Sequence, residues 1–283
     1  MRARKLRQAM SLAIDAVEFL RVFNNGRDVP AQSPIPPGIF GYDPGYTNPY
    51  RQPDLERARA LLDEAGYRGG IDPKTQRPLH LTFDAGSPDT RSRLRYQFWV
   101  DAWRRIGIDV EIAAQNYNAF QEKMRKGAYQ IYTWGWIADY PDPENFLFLL
   151  WGPNSNSLNP GAPNNSNFAD PRFDALFVEV KDMPNGPERM RKIVEMRTIL
   201  ERERPWIELS HTESYALYHG WIRNVKPVGL SIPTGKYVDV DPKLRRAQRR
   251  EWNRPILWPA WALAAAFVGI VVPGVITFFR ERQ

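Results

Sequence analysis

Residues 79–85 read LHLTFDA, and the way apolar and polar side chains take turns there is the key to the chain. A period of two marks a strand with one covered face. Residues 90–106 follow with helical spacing, 108–114 (IDVEIAA) alternate again, 118–126 return to a helical pattern, and 129–134 (YQIYTW) form a third strand-like run. Strand and helix periods taking turns over about fifty residues predict a βαβαβ unit. Its sheet is mostly parallel and needs helices on its faces, so the fold class is α/β.

Working outward, residues 1–23 predict one amphipathic helix with Leu6, Met10, Ile14 and Val17 on a stripe. A connection rich in proline and glycine fills 24–53. A second helix follows, started by Pro53 and stopped by Gly66, with Leu55, Ala58, Leu61, Leu62 and Ala65 facing one way. On the other side lies the turn 134–150, WGWIADYPDPENFLFLL, which ends in a predicted helix over 143–150. The loop GPNSNSLNPGAPNNSNF, helices over 171–181 and 187–204, and an extended stretch over 206–220 complete the body. No repeat of twenty to fifty residues is visible.

The chain has 283 residues and no cysteine, which excludes thiol nucleophiles, disulfides and thiolate metal sites. Its net charge of +7 is not spread evenly. Residues 243–254 carry six basic side chains against the single acid Glu251, and Arg2, Arg4, Lys5 and Arg7 add four more, so these two segments hold +9 and leave about −2 for the rest. The body is not a basic surface, and nucleic acid is not an expected partner.

From 256 to 279 the chain runs ILWPAWALAAAFVGIVVPGVITFF without a charge. At ~1.5 Å per helical residue this stretch crosses a hydrocarbon core of ~30 Å. Trp252, Trp258 and Trp261 at one end and Phe278 and Phe279 at the other resemble interfacial belts, and Pro259 and Pro273 are tolerated in such spans. One transmembrane anchor in a lipid bilayer is predicted, followed by a tail over 280–283. The flank KLRRAQRREWNR is far more basic than RERQ, so the positive-inside rule puts the body in the cytoplasm. The N-terminus lacks the continuous apolar core of a signal peptide.

Catalytic signatures are missing from the sequence. His80, His211 and His219 are scattered without metal-ligand spacing, and there is no GxSxG, P-loop or GxGxxG motif. No cofactor is expected. Asp139 and Asp142 could form an acid/base pair, but Asp142 precedes Pro143 and suits a helix N-cap. Asp139 has no such duty. Beside Trp134 and Trp136, at the carboxyl end of the third predicted strand, it offers a charge-assisted bond to an ammonium between apolar walls. This is binding chemistry.

The segments KLRQAMSLAID, DLERARALLDEAGY, WVDAWRRIGIDVEI, FQEKMRKGAYQIYTWGWIADYPDPENFL, FADPRFDALFVEV and ILERERPWIELSH together resemble the C-terminal half of family 5 extracellular solute-binding proteins. These are the dipeptide, oligopeptide and nickel-type binding components of ABC importers. The resemblance runs from about Lys5 to Pro227 and implies a periplasmic-binding-protein type II-like lobe, a peptide-like solute and ABC permease subunits as partners. It also implies that Asp139 pairs with the ligand's α-amino group while Trp136 packs beside it. The organisation expected is a binding lobe over 1–205, a crossover toward an N-terminal lobe over 206–240, a basic juxtamembrane linker over 241–255 and the span over 256–279. The resemblance places the body on the periplasmic side of a bacterial inner membrane, against the charge bias around the span. Met1 falls where the family's first lobe has just ended, so two readings stand: a tethered binding component or a fragment of one, and an accessory docking subunit whose Ala262, Ala264, Ala265, Ala266, Gly269 and Gly274 pack against other helices. A hydrolase built on Asp139 and Asp142 ranks far below both.

Overall fold

The computed structural model describes residues 2–226 and 235–282. They fall into two compact units, one ending at Tyr215 and one beginning at Ala216.

Helices of the first unit are α1 (Arg2–Ala13), α2 (Ala16–Asn24), α3 (Leu55–Glu64), α4 (Thr90–Arg104), α5 (Tyr117–Arg125), α6 (Glu144–Leu147), α7 (Pro171–Val180) and α8 (Pro187–Glu203). Its strands are β1 (Val29–Pro30), β2 (Ile71–Asp72), β3 (Arg77–Pro78), β4 (His80–Ala85), β5 (Asp109–Ala114), β6 (Ile131–Tyr132) and β7 (Ser210–His211). The predicted βαβαβ unit is β4–α4–β5–α5–β6, with all three strands parallel in the order β5-β4-β6. The α/β expectation therefore holds. β4 pairs with β5 over its full length, His80 opposite Asp109 through Ala85 opposite Ala114, and meets β6 only at Phe83–Ile131 and Asp84–Tyr132.

Alternation along β4 sends Phe83 into the core, where its ring meets Tyr96, Trp99 and Trp103 of α4 at 5.5, 5.7 and 6.0 Å. Burial of such a ring contributes ~2–3 kcal/mol. α4 is started by Asp89, which accepts from the Ser92 N–H, and α1 and α3 lie on the same core through Met10, Leu12 and Leu62. A second core joins α7 and α8 around Phe173, Leu176, Ile193, Met196 and Leu200.

α1 is fastened to the end of α8. The Arg7 guanidinium donates to the carbonyls of Glu203 and Arg204, and Gln8 donates to that of Arg202 at 2.7 Å. These bonds satisfy helix-end carbonyls that have no partner within α8. Arg4 pairs with Glu203 at 3.0 Å, Lys5 with Glu64, and Arg2 lies 4.4 Å from the Tyr67 ring, so the four N-terminal cations are all engaged within this unit.

Several elements differ from expectation. The first helix is two, because Asp15 takes an extended conformation and accepts from the Glu18 N–H as the cap of α2. Val17 consequently leaves the predicted stripe and is exposed. The segment 143–150 is a single α-turn followed by a 3-10 turn over Phe148–Leu150, and the third strand shrinks to two residues. Within 206–220 only Ser210–His211 forms a strand, antiparallel to β1. The β2–β3 hairpin was not anticipated.

The second unit has strands β8 (Ile222–Arg223) and β9 (Asp239–Val240), paired antiparallel, and two helices, α9 (Pro242–Trp252) and α10 (Trp258–Arg280). α9 is a regular helix where a linker was expected. α10 has 23 residues, none of them buried, and is long and apolar enough to cross a membrane.

Candidate functional site

β6 ends at Tyr132, and the next N–H, that of Thr133, donates to the Asp84 carbonyl of β4. The chain goes from β4 to β5 on one side and then returns to β6 on the other, so the carboxyl edge between β4 and β6 is a topological switch point. Open α/β sheets bind ligands at such edges. The turn over 134–142 leaves the sheet there.

Trp134 leans on α5, 5.3 Å from the Phe120 ring and 6.4 Å from Tyr117. Trp136 lies 5.4 Å from Phe148, and its indole N–H donates to Asn145 Oδ1 at 3.0 Å. The Asp139 backbone N–H donates to the same oxygen at 3.0 Å. One buried amide therefore sets both residues, while Trp134 shares no anchor with them. Asp139 is exposed, and among the described residues its carboxylate has no hydrogen-bond or ion-pair partner.

Asp142 is committed elsewhere. Its Oδ1 accepts from the Glu144 N–H at 2.8 Å, so it does bond the start of α6, although Pro143 takes the cap position expected for Asp142. Both oxygens also accept from Arg189 of α8 at 2.7 Å, a bidentate pair that was not foreseen. Burial opposes the charge on Asp142, but the Arg189 guanidinium and the Glu144 N–H outweigh it and hold the carboxyl below its ordinary range. Arg189 is itself buried and fully used, donating also to the Val180 carbonyl and Asn185. Locked in this way, Asp142 is not free to work with Asp139 as a two-carboxylate pair.

The turn is thus bolted at Asn145 and at Arg189, and the Asp139 side chain stands free between the bolts. Asn145 was missed because nothing in the apolar run NFLFLL distinguishes a bonded polar residue from a tolerated one. The only cue was a lone amide at a buried helical position. Two small open cavities lie among the described residues, one lined by Thr82, Asp84, Lys123 and Gln130, the other by Asp72, Arg77 and His80. Neither is lined by residues of the turn.

The histidines sit in three separate places. His80 bonds Asp109 at 2.7 Å on the exposed side of the sheet, and that bond raises its pKa. His211 is lowered by burial, and His219 stacks on Trp221 at 4.1 Å. Among the described residues no three metal-ligating side chains come together.

A short parallel sheet, helix-covered and carrying a rigid corner at its switch point, defines a periplasmic-binding-protein type II-like lobe. Solved structures share it: DppA from Helicobacter pylori in complex with the peptide STSA matches with a TM-score of 0.73 and 26% identity, over 83% of this chain and 44% of that one. Residues 1–157 match the family described as bacterial extracellular solute-binding proteins, family 5 Middle, and the chain belongs to that family, whose members bind solutes and are not enzymes. Among curated relatives, heme-binding protein A of Haemophilus influenzae is 30% identical over 213 residues, which is 75% of this chain and 37% of the relative. Di/tripeptide-binding protein 2 of Pseudomonas aeruginosa is 27% identical over 208 residues, 73% of this chain and 37% of the relative. The chain spans well under half the length of these relatives.

Proposed function

We propose that residues 1–205 form one jaw of a clamp for peptide-like solutes, serving an ABC importer and held at the membrane by α10. The observation that carries this reading is the free carboxylate of Asp139, fixed through Asn145 at the switch point of the sheet while the neighbouring Asp142 is spent on Arg189. A carboxylate in that position suits the α-ammonium of a peptide, with the half-exposed Trp136 ring as an apolar wall. It opposes the propionates of a haem. Relatives named for di- and tripeptides and a neighbour solved with a bound peptide support the choice. A helix in the bilayer would raise the concentration of the clamp near its permease.

Calorimetric titration of the full chain with a short peptide tests this. Asp139→Asn should weaken binding by about 2–5 kcal/mol if the ammonium is desolvated beside the carboxylate. The N-acetylated peptide should lose as much against the unaltered chain and nothing further against the variant. Because Asp139 is exposed and makes no side-chain bond among the described residues, the variant should fold normally. Equal affinity in chain and variant removes Asp139 from the site, and haem binding without peptide binding would replace the ligand class.

A further inference from the structure

The two basic segments of the chain have opposite fates. Arg2, Arg4, Lys5 and Arg7 are all absorbed by partners within the first unit. Lys243, Arg245, Arg246, Arg249 and Arg250 of α9, with Arg254 just beyond it, are all exposed, and among the described residues none of them forms an ion pair.

At ~100° of rotation per helical residue, the five cations of α9 occupy about half of its circumference. The other half carries Leu244, Ala247, Gln248 and Glu251, and Leu244 and Gln248 are half-buried. The helix cannot roll. Asp241 accepts from the Lys243 and Leu244 N–H groups at 3.0 Å, is gripped by Arg223 at 2.6 Å, and donates its own N–H to the Trp221 carbonyl at 2.8 Å. At the far end Trp252 packs 5.2 Å from Trp221 and 5.3 Å from His219, and Trp221 is buried between them.

Helix stability explains Arg249 and Arg250, which lie in the last turn, but not the other three. Cations favour the C-terminal turn of a helix, yet Lys243, Arg245 and Arg246 occupy the first turns, where the dipole opposes them. Pairs such as Lys243/Arg246 and Arg245/Arg249 also repel at three- and four-residue spacing. A fixed face of mutually repelling cations is relieved by a polyanion. The polyanion within reach is set by continuity, since α10 begins at Trp258, six residues after Trp252, with Trp258 and Trp261 in its first turn.

We propose that the cationic face of α9 is a docking surface for the anionic phospholipid headgroups of the membrane into which α10 inserts. The proposal rests on the anchoring role given to α10, and it holds for either leaflet, since charge and not sidedness is recognised. The face holds the second unit against the bilayer and sets how its small aromatic core meets the lipid surface.

The test is amide hydrogen exchange over 242–252 in the full chain, reconstituted in nanodiscs of phosphatidylcholine alone or mixed with phosphatidylglycerol. Exchange should slow about tenfold or more in the anionic discs, and ~1 M salt should abolish the difference by shortening the screening length to ~3 Å. Replacing Arg245, Arg246 and Arg249 together with glutamine should remove the protection, whereas replacing them with lysine should keep it. Equal exchange in the two discs, with the chain retained in both, overturns the proposal and leaves the anchor standing. A chain that leaves both discs overturns the anchor, and added vesicles then decide the surface: protection by anionic vesicles alone supports it, and protection by neither overturns it. Equal protection by double-stranded DNA in the same buffer would show a generic polyanion site and overturn the lipid assignment.

Discussion

Removing the Asp142 carboxylate leaves the Arg189 guanidinium buried without its counter-charge, since Arg189 is only 2% exposed. Asp142→Asn should therefore destabilise the first unit by about 3 kcal/mol, read by urea unfolding of the full chain in mild detergent. The sign of the pH dependence follows from the depressed pKa. The stabilisation is fully present above the ordinary value of 3.8 and is lost as pH falls through the lower folded value. The gap between the unaltered chain and the variant should thus be widest near neutrality and close in acid. A gap that stays constant down to low pH would show that the cost comes from packing and not from charge. Asp139, three residues earlier, should show no comparable stability effect, which separates a residue kept for binding from one spent on holding the turn.

Two glycine backbones in contact seat the β2–β3 hairpin on the end of α4. Gly70, at φ +80°, stands where an added Cβ would come 2.2 Å from the Gly107 carbonyl oxygen, and its own carbonyl receives the Leu79 N–H that leads into β4. Gly70→Ala should cost about 3 kcal/mol, and the neighbouring Gly69→Ala, which meets nothing within 4 Å, only about 1 kcal/mol for its positive φ. Similar costs in thermal unfolding would mean that the close approach is relaxed elsewhere. At this scale the sequence was informative where a period repeats: β4, α4, β5 and α5 are all visible in the spacing of apolar residues. It was silent where an element depends on distant partners. The apolar stripe runs straight through Asp15, so the break between α1 and α2 leaves no trace in periodicity. β1 and β7 are two residues long, and their pairing of Val29 with His211 has no local signature. In the candidate site, the sequence shows that Asp139 follows the third strand but not that this strand ends as early as Tyr132, and the Asn145 anchor and the Arg189 lock depend on tertiary contacts that spacing does not encode.

For the whole chain, the anchoring role proposed for α10 makes a simple demand. Val268 lies near the middle of α10, and in a spanning helix Val268→Arg would place a charge at the bilayer centre at a cost of about 2.5–3.5 kcal/mol. Alkaline extraction of membranes should release a large share of the variant and little of the unaltered chain; equal release would argue against a span. The fastening of α1 to the end of α8 also has a consequence in time. Gln8 and Arg202 are 194 residues apart, so a ribosome adding ~5–20 residues per second spends ~10–40 s between making the two. Within that interval α3 and α4, which pack on α1, are made, and the bonds that fasten α1 to the end of α8 form after most other strands and helices of the unit have emerged. Refolding from denaturant imposes no such schedule, so the order in which α1 gains protection should differ between translation and the test tube.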